Sequence, residues 1–140
     1  MKKLLFLVFN LFAFVCAAQD YADLVGKYDM EIKIGEKTFH DVLHIEEVIE
    51  KKPFLNGIFK GTLTVPGVFT AKLENTSYSM SLWAGTFGMY FEILAQENGQ
   101  SFRVKYSAGK TIGDEILTGF ATLEDGSRLG DFIAKKIKEE

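Results

Sequence analysis

The stretch GMYFEILAQENGQSFRVKY, residues 88 to 106, predicts a β-hairpin. Apolar and polar residues alternate on both sides of the dipeptide Asn98-Gly99. The apolar sets are Met89, Phe91, Ile93 and Ala95 before the dipeptide, and Phe102, Val104 and Tyr106 after it. Strict alternation is typical of half-buried strands, and Asn-Gly is the strongest two-residue hairpin signal. We therefore expect two antiparallel strands that share an apolar inner face.

The same period of two recurs along most of the chain, and helical spacing is nearly absent. Predicted strands cover residues 28–34, 38–49, 57–65, 68–75, 78–85, 88–97, 100–109, 115–124 and 127–137, with a turn at Asn75-Thr76-Ser77. Short connections favour antiparallel pairing between neighbours, and a long meander loses its exposed edges by closing. The predicted fold is all-β, an up-and-down meander of eight or nine strands that closes into a small barrel. A two-sheet β-sandwich is the alternative, because it has the same strand spacing.

Two irregularities accompany this pattern. The second strand places Phe39, Leu43, Ile45 and Ile49 on one face, but Asp41 and Glu47 share that face, so a bulge or strand end is expected. Glycines lie inside or beside predicted strands at Gly57, Gly61, Gly85, Gly88 and Gly119. Glycine at such positions marks a sharp bend or a close backbone approach, which supports a barrel. The alternative is that some of them are ordinary loop glycines.

Residues 1–18 have the organisation of a secretory signal peptide. Two lysines precede the apolar run LLFLVFNLFAFV, residues 4–15, and Ala17 and Ala18 supply small residues for cleavage. A membrane-spanning helix would need roughly 20 apolar residues, and this run is shorter. We therefore predict cleavage after residue 18, which leaves 19–140 as a single barrel domain.

Cys16 is the only cysteine of the chain. Lipid attachment is the alternative to its removal, but bacterial lipoprotein signals usually place a small residue directly before the cysteine, and here that residue is Val15. With Cys16 removed, the mature chain contains no disulfide, which fits a bacterial periplasm better than a disulfide-rich animal secretion. The predicted location is exported, either periplasmic or secreted.

The charge of the chain excludes some partners. The formal net charge is −3, and removal of Lys2 and Lys3 would make the mature chain more acidic. This argues against nucleic acid, whose phosphates require a basic face, and against a polybasic membrane dock. No membrane span is predicted in the mature chain.

The segment ADLVGKYDMEI, residues 22–32, resembles the opening of the calycin barrels, the lipocalins and fatty-acid-binding proteins. Those proteins begin with a helical turn, which residues 20–25 would supply, followed by Gly-x-Trp at the first strand. Here Gly26-Lys27-Tyr28 holds that place, with tyrosine instead of tryptophan, and no second lipocalin motif of the Thr-Asp-Tyr type follows. The resemblance implies a closed ligand-binding barrel and a late arginine packed over the aromatic ring, for which Arg128 is the candidate by position.

The predicted ligand-binding residues are inward-facing apolar side chains together with the only tryptophan. They are Phe59, Leu63, Phe69, Trp83, Phe91, Ile93, Phe102 and Tyr106. An eight-stranded barrel either fills with side chains or encloses one small ligand, and alternation does not measure volume. A plain core and a ligand cavity both remain open at this point.

The chain shows no pattern typical of catalysis. His40 and His44 would share a strand face at a separation of about 13 Å, too far for one metal ion, so isolated surface histidines are expected. The acid pairs Glu46-Glu47 and Asp114-Glu115 point apart in extended chain, and neither a Ser-His-Asp pattern nor a phosphate loop is found. We expect no enzyme activity, no metal and no cofactor.

Two functional hypotheses follow. The first is an exported carrier or sequestering protein for a small apolar molecule. The second is a protein-binding module, an inhibitor or accessory subunit, that acts through the loops at 51–57 or 84–88 and has a filled core; the apolar pair Phe54-Leu55 motivates it. A transmembrane barrel is disfavoured because the polar faces carry charges of both signs and the chain end KKIKEE lacks a terminal aromatic. The sequence does not predict the oligomeric state.

Overall fold

The computed structural model describes residues 24–52 and 55–138. Its nine strands are β1 (Gly26–Ile34), β2 (Lys37–Lys52), β3 (Asn56–Val65), β4 (Phe69–Lys72), β5 (Glu74–Ser81), β6 (Thr86–Glu97), β7 (Gln100–Thr111), β8 (Ile116–Leu123) and β9 (Arg128–Lys136). The predicted signal peptide, Cys16 and most of the predicted helical turn lie outside the described residues. Within those residues, no helix has the length and apolar character needed to cross a membrane.

The strands close into an eight-position barrel. Each strand from β5 to β9 pairs antiparallel with the next, β9 pairs with β1, β1 with β2, and β2 with β3. β4 and β5 both pair antiparallel with β3, at Val65↔Phe69 and Gly57↔Tyr78, so they follow one another along the same edge of β3. The predicted all-β antiparallel barrel is confirmed, and the alternative sandwich is not observed.

Buried apolar side chains from the wall strands form one core inside the barrel. On β6, Phe87, Phe91 and Ile93 face inward and are at most 2% exposed. Successive side chains of a strand point to opposite faces, so the intervening positions face outward. The outer face carries charges of both signs, such as those of Glu31 and Lys105.

The predicted irregularity of β2 is confirmed for Glu47 and wrong for Asp41. The pairing of β2 with β3 shifts register between Ile45 and Glu47. As a result, Glu47 is exposed, and Val48 packs against the core at the place where Ile49 was expected. Asp41, in contrast, lies in regular pairing with Met30. Because no bulge intervenes there, the Asp41 carboxyl remains on the inner face.

The predicted turn at residues 75–77 is wrong, because the chain continues in the same direction from β4 into β5. Asn75 adopts a φ of +48°, and the pairing with β6 shifts register between Glu74 and Ser77. The Thr76 hydroxyl accepts a hydrogen bond from the Phe59 amide at 3.1 Å and donates one to the Phe59 carbonyl at 2.5 Å. A side chain thus replaces the missing backbone partner at this bulge, which keeps β3 joined to the wall.

The predicted close approach of strands is confirmed at three of the five glycines, Gly57, Gly61 and Gly119. A Cβ atom on Gly61 would overlap the carbonyl of His44 on β2. Gly88 has only ordinary contact distances around it, and Gly85 lies in a turn at a φ of +67°. Glycine therefore allows tight strand contact at some positions of the barrel wall but not at all of them.

The antiparallel order sorts the connections into two ends. The hairpin end consists of residues 35–36, 66–68, 98–99 and 124–127. The terminal end consists of residues 24–25, the β2–β3 loop, residues 82–85 and 112–115, and residues 137–138. Each hairpin-end connection contains a glycine at positive φ, namely Gly35, Gly67, Gly99 and Gly126. Large apolar side chains are also exposed near the hairpin end: Val68 in the 66–68 connection is 67% exposed, and Phe39, which was expected on the inner face of β2, is 42% exposed.

Candidate ligand site at the terminal end

A column of contacting aromatic rings lies inside the barrel. The ring centroids of Phe91 and Tyr106 are 4.7 Å apart and the rings are nearly parallel, at 11°. Phe59 meets Phe91 edge-on at 6.2 Å, and Phe132 meets Tyr106 edge-on at 5.9 Å. These separations lie in the range of stabilising ring contacts. The rings therefore behave as core.

The predicted ligand-binding residues do not form a single set. Five are buried, Phe59, Leu63, Phe91, Ile93 and Tyr106, and two, Phe69 and Phe102, are partly buried against the core. Trp83 does not join them, because its side chain is 99% exposed. β5 ends at Ser81 and β6 begins at Thr86, so Trp83 falls in the connection and not at an alternating strand position. Ligand binding by the other seven remains a prediction.

An open cavity of about 2120 Å³ lies at the terminal end, and none of the eight predicted residues lines it. Its lining includes four buried apolar or aromatic residues, Leu24, Tyr28, Phe87 and Leu117, which are each at most 4% exposed. The Tyr28 hydroxyl donates a hydrogen bond of 2.7 Å to the Leu24 carbonyl, which fixes the segment that enters β1. We call these four residues the cavity floor.

Two lysines lie beside the cavity floor. Lys110 comes two residues after the inward-facing Ala108, and Lys136 comes two residues after the inward-facing Ala134. The two lysines therefore occupy the last inward positions of β7 and β9. The Lys110 ammonium is 5.7 Å from the Phe87 ring centroid and donates a hydrogen bond of 2.9 Å to the Asp114 carbonyl. The cavity can therefore offer apolar contact and positive charge to one molecule.

The cavity also extends over the outside of the barrel wall. Its lining includes the outward-facing residues Lys27, Thr118 and Lys135 and the exposed apolar residues Ile116 and Ile137. This extension explains why its volume exceeds the roughly 300–1,000 Å³ of an ordinary ligand pocket. A molecule bound on the floor would remain in contact with solvent at the rim.

Asp41 is a second polar feature of the interior. Its side chain is only 6% exposed, and burial raises its pKa from 3.8 to about 6, while the nearby His40 acts in the opposite direction. The pKa of Tyr106 is also raised, first by burial and then by the negative charge of Asp41. An acid inside an apolar barrel therefore changes charge in a mildly acidic range.

A cluster of charged side chains lies on the outer wall. Arg103 donates a hydrogen bond of 2.9 Å to Glu74 and lies 3.6 Å from Glu92, which in turn accepts a bond of 2.9 Å from the Tyr90 hydroxyl. Glu92 is only 8% exposed, so the arginine compensates a largely buried carboxylate. Because the cluster joins β5, β6 and β7, its role is structural.

The two histidines have separate partners. The His40 Nδ1 atom is 3.1 Å from the Asp29 carboxylate, and the His44 Nδ1 atom is 3.8 Å from Glu46. Within residues 24–52 and 55–138, no group of three or more histidine, cysteine or acidic side chains is arranged to hold a metal ion.

Sequence reasoning missed the residues of the terminal-end cavity. The sequence does contain a usable signal. Lys110 and Lys136 lie near the ends of two strands, at positions where the alternation calls for an inward-facing apolar residue. A charged residue at the last inward position of a strand indicates a barrel mouth more directly than an interior phenylalanine does. The expected arginine contact is also wrong: the Arg128 guanidinium lies 4.6 Å from the Phe120 ring centroid and pairs with Asp131, on the outer wall.

Comparison of the chain with family models, curated proteins and solved structures returns no match.

Proposed function

We propose that the protein is an exported, non-enzymatic carrier or sequestering protein that binds a small apolar molecule in the terminal-end cavity. The observation that carries this proposal is the combination of a cavity of about 2120 Å³ with a floor of four buried apolar or aromatic residues. Binding would proceed by burial of ligand surface, with no covalent step. Membership of the calycin barrels is part of the same proposal, supported by the closed antiparallel wall and by Tyr28 at the start of β1.

The ligand would lie at the mouth of the barrel. The ring column occupies the middle, and the floor residues Phe87 and Leu117 close it toward the terminal end. The periplasm or the extracellular medium is the proposed location, because residues 1–18 have the pattern of an export signal. A periplasmic or secreted carrier needs no metal or cofactor for this role.

Two measurements test ligand binding. Native mass spectrometry of the protein purified from its host should show retained mass in the size range of a lipid or another small apolar molecule. Titration with the uncharged fluorophore N-phenyl-1-naphthylamine should give saturable binding. Protein that is free of retained mass and does not bind the fluorophore would contradict the proposal.

A matched pair of variants locates the site. Ile116 lines the cavity and Ile133 does not, and both are outward-facing and moderately exposed, at 39% and 47%. Ile116→Glu should weaken fluorophore binding about tenfold, because it places a charge on the apolar lining, whereas Ile133→Glu should leave affinity unchanged. Equal effects of the two changes would place the binding elsewhere.

The alternative is a protein-binding module that acts through the terminal-end loops. One observation favours it, namely the full exposure of Trp83 next to a filled barrel interior. Leu55 in the 51–57 loop is 44% exposed, whereas Phe54 lies outside the described residues. In that case Trp83→Ala would abolish capture of a protein partner and leave fluorophore binding intact.

A further inference from the structure

One surface at the terminal end combines exposed apolar side chains with lysines. The apolar members are Val25, Leu55, Trp83, Ile116 and Ile137. The lysines in or next to the connections of that end are Lys27, Lys51, Lys52, Lys110, Lys135, Lys136 and Lys138. We call this surface the terminal face. It holds half of the large apolar side chains that are exposed among the described residues, together with these seven lysines.

Backbone hydrogen bonds hold the loops of the terminal face side by side. The Leu55 carbonyl accepts a bond of 2.7 Å from the Met80 amide, which joins the β2–β3 loop to the end of β5. The Gly85 carbonyl accepts a bond of 2.8 Å from the Ile112 amide, which joins the turn that carries Trp83 to the β7–β8 connection. The exposed side chains therefore project from one connected rim.

Trp83 is the most exposed large apolar side chain of this rim. Its exposed fraction is 99%, against 44% for Leu55 and 41% for Ile137. Its side chain therefore gains nothing from core packing. An indole combines a large apolar body with a polar N–H group, and this combination favours the boundary between lipid and water.

The charge of the described part of the terminal face differs from that of the whole chain. The formal net charge is −3, yet among the described residues the seven lysines of this end outnumber the acids Glu50, Asp114 and Glu115. The acids Asp20, Asp23, Glu139 and Glu140 belong to the adjoining segments outside the described residues. Overall acidity argued against a polybasic dock, but membrane attraction depends on charges within about a Debye length of the surface. Within the described residues, the local charge therefore favours an anionic surface more than the total charge does.

We propose that the terminal face docks on the surface of an anionic lipid bilayer, with Trp83 at the lipid–water boundary and the lysines near the headgroups. A second copy of the chain fits less well, because a twofold contact would bring lysines against lysines. A protein interface also fits less well, since the centres of such interfaces are depleted in lysine. Docking would not require the cavity to hold a ligand.

The only tryptophan of the chain reports directly on this contact. Protein purified in the form its host makes is mixed with vesicles of phosphatidylcholine alone, or with vesicles that also contain phosphatidylglycerol. At low salt we expect co-sedimentation with the anionic vesicles, a blue shift of Trp83 fluorescence and protection from an aqueous quencher. High salt should reverse all three effects. Trp83→Ala should weaken co-sedimentation at least threefold.

Two double variants with the same change in net charge provide the control. Lys51→Glu with Lys52→Glu alters the terminal end, and Lys33→Glu with Lys37→Glu alters exposed lysines near the hairpin end. The first pair should lower vesicle affinity more than tenfold, and the second less than threefold. Equal losses, equal binding to neutral vesicles, or Trp83 protected by self-association or by a protein partner would overturn the proposal.

Discussion

The two ends of the barrel are built from the same strands but differ in their connections. At the hairpin end, tight turns place Glu36, Glu97, Glu124 and Asp125 in or next to the connections. Ser127 donates two hydrogen bonds to the Asp125 carboxylate, at 2.9 Å and 2.6 Å, which keep the pKa of Asp125 below its usual value. At the terminal end, longer connections and both ends of the described chain surround a cavity with lysines and exposed apolar side chains. The wall pattern determines the barrel, whereas the connections determine what each end can bind.

The interior divides in the same way. The ring column around Phe91 lies between the ends, Asp41 is buried nearer the hairpin end, and the cavity floor faces the terminal end. The functional surface that we propose therefore belongs to one end only. Three comparisons between substitutions test this division, beginning with the largest expected effect.

The first prediction compares a ring of the column with the exposed ring of the terminal end. Phe91→Ala should lower the free energy of unfolding by about 3–5 kcal/mol, because it removes a fully buried ring and leaves a cavity. Trp83→Ala removes a ring that is 99% exposed and should change it by less than about 0.5 kcal/mol. Urea unfolding followed by far-ultraviolet circular dichroism measures both, since it does not depend on the tryptophan. Losses of similar size would mean that Trp83 packs against the protein in solution.

The contrast between Phe91 and Trp83 also shows what the sequence could predict. Alternation around Asn98-Gly99 predicted the β6–β7 hairpin and the inward position of Phe91, because each follows from local periodicity. Alternation failed for Trp83, because the apolar pattern continues past Ser81 although the strand ends there, and it therefore assigns a strand face to residues that lie in a connection. The fold was therefore predictable because its main signal is local.

The candidate site was less predictable because it depends on which strand ends meet. Leu24, Phe87 and Leu117 come from distant parts of the chain and become neighbours only after closure of the barrel. The bulge at Thr76 had no clear signal either, since Asn-Thr-Ser is also typical of a turn. The alternation of apolar and polar residues also does not show how much empty volume remains at the end of a barrel.

The second prediction concerns the acid buried toward the hairpin end. Burial raises the pKa of Asp41 to about 6 in the folded protein, from 3.8. Between about pH 4 and pH 6 the folded state therefore binds more protons than the unfolded state, and stability contributed by this group falls as pH rises. Asp41→Asn should raise the free energy of unfolding at pH 7 by about 1–2 kcal/mol. The gain should disappear below about pH 4.

The control for Asp41 is an exposed acid of the same end. Glu36→Gln lies in the β1–β2 turn and should change stability by less than about 0.5 kcal/mol across the range. Urea unfolding at a series of pH values compares both variants with the unchanged protein. A gain from Asp41→Asn that is constant with pH would show that the carboxyl does not titrate in this window.

The third prediction concerns the backbone of the turns, where the expected effect is no larger than that of Asp41→Asn. Asn98 and Gly99 have φ values of +51° and +76°, as a two-residue type I′ turn requires. Gly99→Val should lower the free energy of unfolding by about 1–2 kcal/mol, because a β-branched residue is strained at positive φ. Gly99→Asn should lower it by only a few tenths of a kcal/mol, since asparagine tolerates this region.

Gly85 at the terminal end can be compared with Gly99 at the hairpin end. Its φ of +67° is similar to that of Gly99, but it lies in a four-residue connection, 82–85. A longer connection has more dihedral angles over which to distribute strain, so Gly85→Val should lower stability less than Gly99→Val does. Thermal unfolding resolves the difference if both variants keep the far-ultraviolet spectrum of the unchanged protein. Equal losses would show that the terminal-end turn is as rigid as the hairpin, and Trp83 would then be held in place before any partner or membrane arrives.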